Sequence, residues 1–209
     1  MPFSTDTTWP QSLLTIFNIC RQKHEGHENR YYGPYNHLLN YCFRESPDRY
    51  FVAPQSPPGD SAPRDSVDFV VLQVVSGVEY GPVLFVEVKN DHRANDARCR
   101  YDANTQIRNR FYRMLRNGHS LPQGRLWALS LLGTSLCVYW ATVNTKKVEP
   151  TSVAYPRASL HLWPEYLEGH WKVDILSRGG FDTVKMVMND IYNSAVVDTN
   201  SQQRGEASQ

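Results

Sequence analysis

Two stretches in the middle of the chain, Val67 to Val75 (VDFVVLQVV) and Pro82 to Lys89 (PVLFVEVK), are β-branched and apolar at consecutive positions. A half-exposed strand alternates, so these read as central strands covered on both faces. Ser76, Gly77 and Gly81 mark the turn between them. Residues 99 to 117 then predict a helix, with Ile107, Phe111, Met114 and Leu115 on one stripe and Gly118 as its stop. Two more strands follow, Gly124 to Leu132 and Ser135 to Val143, turning at Gly133 and Thr134. Upstream, Leu13, Ile16, Phe17 and Cys20 recur at helical spacing over about 10 to 25, started by Thr8, Trp9 and Pro10. Tyr35, Leu38, Leu39 and Cys42 suggest a second helix ending before Pro47. Ala53 to Pro63 (APQSPPGDSAP) predicts a loop. Residues 144 to 172 predict loop with short extended pieces, Phe181 to Tyr192 a last helix, and the tail from Val197 no regular structure.

This pattern predicts an α/β fold with a mixed central sheet flanked by helices. A chain of 209 residues allows one domain, here residues 1–196, followed by a disordered tail at 197–209. The 22 basic and 21 acidic residues exclude a global basic field, so a nucleic acid would have to meet a local patch. Cys20, Cys42, Cys99 and Cys137 show no CxxC spacing, which argues against a disulfide framework or structural zinc and for an intracellular protein of cytoplasm or nucleus. No apolar run approaches the roughly 20 residues of a membrane span, and no signal peptide is evident. The tryptophans, Trp163 and Trp171 among them, are expected in the core.

The chemistry gathers at the end of the second central strand. A period of two puts Glu87 and Lys89 on one face. An antiparallel hairpin turning at Gly77 and Val78 sets Asp68 opposite Glu87. Paired carboxylates are tolerated side by side when a cation lies between them, and all-oxygen ligands favour Mg²⁺ or Mn²⁺. A neighbouring lysine can activate a water or steady charge on a phosphate in flight, so the set points to metal-assisted phosphodiester hydrolysis. The plain alternative is that Asp68 caps its strand and Glu87 pairs with Lys89 or an arginine at a solvated edge.

An aspartate on one strand (Asp68), then FVEVKND on the next, then a helix holding QIRNRFYRML, resembles the PD-(D/E)XK nuclease superfamily. The likeness looks closest to fungal members that end in a segment like WKVDILSRGGFDTVKMVMNDI. The resemblance implies a restriction-endonuclease-like fold and a Mg²⁺-dependent (or Mn²⁺-dependent) nuclease, a hydrolase of DNA in preference to RNA, with a homodimer left open. It also implies Asp68, Glu87 and the Val88 carbonyl as metal ligands, Lys89 as catalytic lysine and Gln106 as the glutamine of the following helix. Where a tyrosine is expected four residues on, this chain has Arg110. Some members carry an acid on the first helix, for which Glu25 and Glu28 are candidates.

Between Arg93 and Arg116 seven arginines face two aspartates, a local patch in a nearly neutral chain. Arg108, Arg110 and Arg113 avoid the apolar stripe, so they are expected to bind nucleic-acid phosphates. His24 and His27 beside Glu25 and Glu28 read as a solvated helix end, and Tyr31, Tyr32 and Tyr35 as packing under the second helix with base stacking as the rarer role. The rival to the enzyme is the same fold with an idle site, serving as a module that binds nucleic acid or a protein partner.

Overall fold

The apolar runs in the middle of the chain form the middle of the sheet. The structure, a computed structural model, describes residues 5–22, 28–55, 67–76, 79–116, 121–154 and 162–206. Strands β1 (Tyr50–Pro54), β2 (Phe69–Ser76), β3 (Glu79–Lys89), β4 (Arg125–Leu132), β5 (Ser135–Thr142) and β6 (Val148–Glu149) lie side by side in chain order, and β7 (Val173–Asp174) also pairs with β5. All pairings are antiparallel except β3 with β4, which run parallel because helix α3 (Ala97–Arg116) carries the chain back between them. The architecture is α/β, with a mixed, open sheet flanked by helices.

Each face of the sheet owns a core. Leu84, Val86, Val88, Leu129 and Leu131 turn one way, toward α1 (Gln11–Gln22), α2 (Tyr32–Phe43) and α4 (Arg178–Glu206). Phe85, Ala128, Leu126 and Tyr139 turn the other way, toward Ile107, Phe111 and Met114 of α3. Covering on both sides is why these strands do not alternate in polarity. Phe85 and Phe111 meet edge to face with ring centroids 4.9 Å apart, and truncating either ring would cost about 3–5 kcal/mol.

Several expectations need correction. The prolines from Ala53 onward do not stop a strand from forming just before them: β1 runs to Pro54 as an edge strand, where a missing amide is tolerated. Residues 56–66 lie outside the described residues. Helix α4 starts at Arg178 and continues to Glu206, so residues 197–206 are helical rather than irregular. They hold no proline, and adding a residue to an existing helix costs far less than starting one. Trp163 is 63% exposed, whereas Trp9, Trp127 and Trp171 are buried. Tyr31 and Tyr35 are core residues, but Tyr32 is only half-buried. Lys23 to His27, the turn at Gly77 and Val78, and Gly118 lie outside the described residues, so His24, Glu25 and His27 carry no structural account. Glu28 falls in a 3-10 turn, Glu28–Tyr31, without a described side chain. Among the described residues no helix is long and apolar enough to cross a membrane.

Candidate metal and active site

At the end of the β2–β3 hairpin away from its turn, the register pairs Phe69 with Val86, Val70 with Phe85 and Val71 with Leu84. One more step in that register brings Asp68 level with Glu87. Two irregularities nearer the turn offset one another and leave this end as expected. Asp68 stands just before β2. Its Oδ2 accepts a hydrogen bond from the Val88 backbone N–H at 2.6 Å, and its Oδ1 accepts one from the Tyr32 hydroxyl at 2.7 Å. The Asp68 carboxylate thus ties the end of β3 to α2, rather than capping the start of its own strand as the plain alternative has it.

Glu87 is 4% exposed and faces α3. Its Oε2 accepts from Gln106 Nε2 at 2.7 Å, and its Oε1 takes the Arg110 guanidinium at 3.2 Å. Gln106 and Arg110 are one helical turn apart, so both point at the strand beneath. Burial first, and then repulsion from the Asp68 carboxylate, push the Glu87 carboxyl up to about 7. Lys89 and Arg110 pull it down and are outweighed. The structure thus brings Asp68, Glu87, Lys89, Gln106 and Arg110 into one electrostatic neighbourhood at one end of the sheet, and the pairing of Glu87 with an arginine is buried, not solvated.

The end of β3 is fixed by the next turn. Gly133, between β4 and β5, donates its N–H to the Lys89 carbonyl at 2.7 Å, and its own carbonyl accepts from the Tyr35 hydroxyl at 2.6 Å. Its φ of +63° favours glycine, and a Cβ there would fall 1.7 Å from Asp91 Oδ1. The half-buried Lys89 side chain is therefore carried on a backbone held in place by the neighbouring turn.

The arginine patch divides. Arg113 is exposed and Arg110 half-buried against Glu87, but Arg108 is 7% exposed and does not face solvent. Its guanidinium donates to Asn104 Oδ1 at 3.0 Å, to the Val148 carbonyl at 3.2 Å and to the Pro150 carbonyl. Arg100, earlier on the same helix, donates in the same way to the carbonyls of Tyr166 at 2.9 Å, Ala94 at 2.6 Å and Pro164. These side chains tie β6 at Val148 and the chain around Pro150, Pro164 and Tyr166 to α3, so the expectation that Arg108 grips phosphate is corrected. Arg108→Ala should cost about 1–3 kcal/mol for each carbonyl left without a donor. Urea unfolding should register that loss, and nucleic-acid affinity of the folded fraction should not change.

The donor set suits a hard cation. Each oxygen of Asp68 and of Glu87 accepts a hydrogen bond, and a carboxylate oxygen with two lone pairs can serve a donor and a metal together. A cation between them would relieve the repulsion that raises Glu87. Among the described residues no three His, Cys, Asp or Glu side chains converge; the two carboxylates with the Val88 carbonyl are the ligands that the resemblance implies. Mg²⁺ commonly keeps several waters and needs only one or two carboxylates. Tyr32 and Arg110 are the partners of these carboxylates that sequence reasoning misses; the spacing of Arg110 from Gln106 is the available signal for the second. Comparison of the chain with protein-family models, with curated proteins and with solved structures gives no match.

Proposed function

We propose that the chain is a Mg²⁺- or Mn²⁺-dependent nuclease with a restriction-endonuclease-like fold, hydrolysing phosphodiester bonds in nucleic acid, with DNA preferred to RNA. The observation that carries this reading is the buried Glu87 beside Asp68, two like charges from adjacent strands, with Lys89 on the same strand as Glu87. A fold built for stability alone has no use for that repulsion. The parallel β3–α3–β4 unit beside the β2–β3 hairpin supports the fold assignment.

In this reading Asp68, Glu87 and the Val88 carbonyl hold the metal, which when bound supplies positive charge to the phosphate and lowers the pKa of a water. Gln106 holds Glu87 in place through Oε2. Lys89 steadies the charge that builds on the phosphoryl oxygens or takes part in moving the proton of the attacking water. Arg110 is a counter-charge of Glu87 and would share that carboxylate with a bound metal.

The same contact favours a second reading. An arginine that already neutralises Glu87 is compatible with an idle site on a binding module. Incubation with plasmid, single-stranded DNA and RNA, with Mg²⁺ or Mn²⁺ and with chelator, separates the two. Cleavage that chelator stops and Asp68→Asn abolishes is the expected result. Binding of nucleic acid without cleavage in either metal would select the module.

A further inference from the structure

We infer that the cavity on the far side of Asp68 is a subsite for one nucleobase of the bound strand, adjoining the phosphate position; the inference rests on the nucleic-acid reading above. The cavity of about 240 Å³ is lined by Tyr32, Gly33 and Asn36 from the first turns of α2, Pro54 and Gln55 at the end of β1, and Asp68 and Phe69 at the start of β2. Its lining residues Pro54, Asp68 and Phe69 lie at the same end of the sheet as Glu87 and Lys89, and Asp68 belongs to both.

Size, charge and lining narrow the occupant. The volume lies below the roughly 300–1,000 Å³ of drug-sized pockets, so it suits a single ring system. With Asp68 committed to the metal, the other described lining residues are all uncharged, which suits a neutral group better than a phosphate or carboxylate. Tyr32 contributes a ring whose orientation is fixed twice, by its hydroxyl on Asp68 at 2.7 Å and by an edge-to-face contact with Phe69, centroids 6.0 Å apart at 82°. Of the three clustered tyrosines it is the half-buried one. Asn36 and Gln55 are both exposed side-chain amides, each able to donate and accept. A flat, neutral heterocycle with donors and acceptors along its edge meets these terms, and aromatic side chains hold such bases by stacking.

Gly33 allows a test that spares the site's chemistry. Gly33 lines the cavity, and a Cβ there meets nothing within 4 Å, so a side chain can be started at this position without a clash, and leaving glycine favours the helix. Single-stranded oligonucleotides carrying one abasic position, moved along the strand, are titrated by anisotropy in Ca²⁺ against the wild type and Gly33→Leu. The wild type should show one position at which loss of the base weakens binding by about fivefold or more. Gly33→Leu, with an unchanged melting curve, should bind the intact strand weaker by a similar factor and show no further loss at that position. A flat scan with a strand that binds and is cut overturns the subsite alone. A position that stays sensitive in Gly33→Leu also overturns it. Absence of any binding by the wild type removes the nucleic-acid reading and the subsite together.

Discussion

Lys89→Ala is expected to slow phosphodiester cleavage by about a hundredfold or more while leaving nucleic-acid affinity in Ca²⁺ unchanged. The magnitude is that of a positioned group acting on proton transfer or on charge in the transition state, roughly 10²–10⁴-fold. The separation of the two effects follows from where the residue stands. Lys89 is the last residue of β3, and its backbone carbonyl accepts from the Gly133 N–H, a contact that truncation of the side chain leaves in place. Losing an interaction made only in the transition state lowers kcat and kcat/KM together without weakening ground-state binding. Anisotropy in Ca²⁺ and single-turnover cleavage in Mg²⁺ measure the two quantities. If binding falls as far as cleavage, Lys89 is one more phosphate contact, and the idle-module reading moves ahead.

The second large effect is on stability, and it is set by pH. The Glu87 carboxyl titrates at about 7 in the folded protein against an ordinary 4.5, burial being the first cause and Asp68 the next. Between those two values the folded chain keeps a proton that the unfolded chain has released. Stability therefore falls as pH rises through this window and levels off above it. The loss from this one group amounts to about 3 kcal/mol, at roughly 1.4 kcal/mol per pH unit. Urea unfolding of the wild type at about pH 5 and about pH 8 reads the slope. Glu87→Gln should remove this contribution, since an amide does not titrate. Parallel pH profiles for the two proteins would mean that Glu87 keeps a solvated charge, and the repulsion from which the function is argued would be gone.

How much of this is legible in the chain depends on which partner each residue has. β2, β3, β4 and β5 are readable because strands buried on both faces write themselves as continuous apolar runs. The Asp68–Glu87 register is readable because a hairpin fixes pairing from its turn. Strand β1 is hidden by the prolines that follow it. Arg108 misleads for a more general reason: its partners are the carbonyls of Val148 and Pro150, and a backbone carbonyl has no signature in sequence. A buried arginine and a solvated one look alike when what satisfies the donors is backbone some forty residues away. Arg110 shows the converse, since its partner is a side chain and its place one turn after Gln106 points at Glu87.

The order in which the sheet is wired bears on how the site comes together during folding. Asp68 and Glu87 sit on one hairpin, whose contacts are local and close early, whereas α3 and β4 require a longer loop to close. While the hairpin is still open to water, its two carboxylates repel each other weakly, by about 1 kcal/mol at a few ångströms. The conflict sharpens only when α3 docks and excludes the solvent. Gln106 and Arg110 ride on that same helix, so the element that creates the electrostatic cost delivers a donor and a counter-charge in the same step, and the nascent chain never has to bury Glu87 bare.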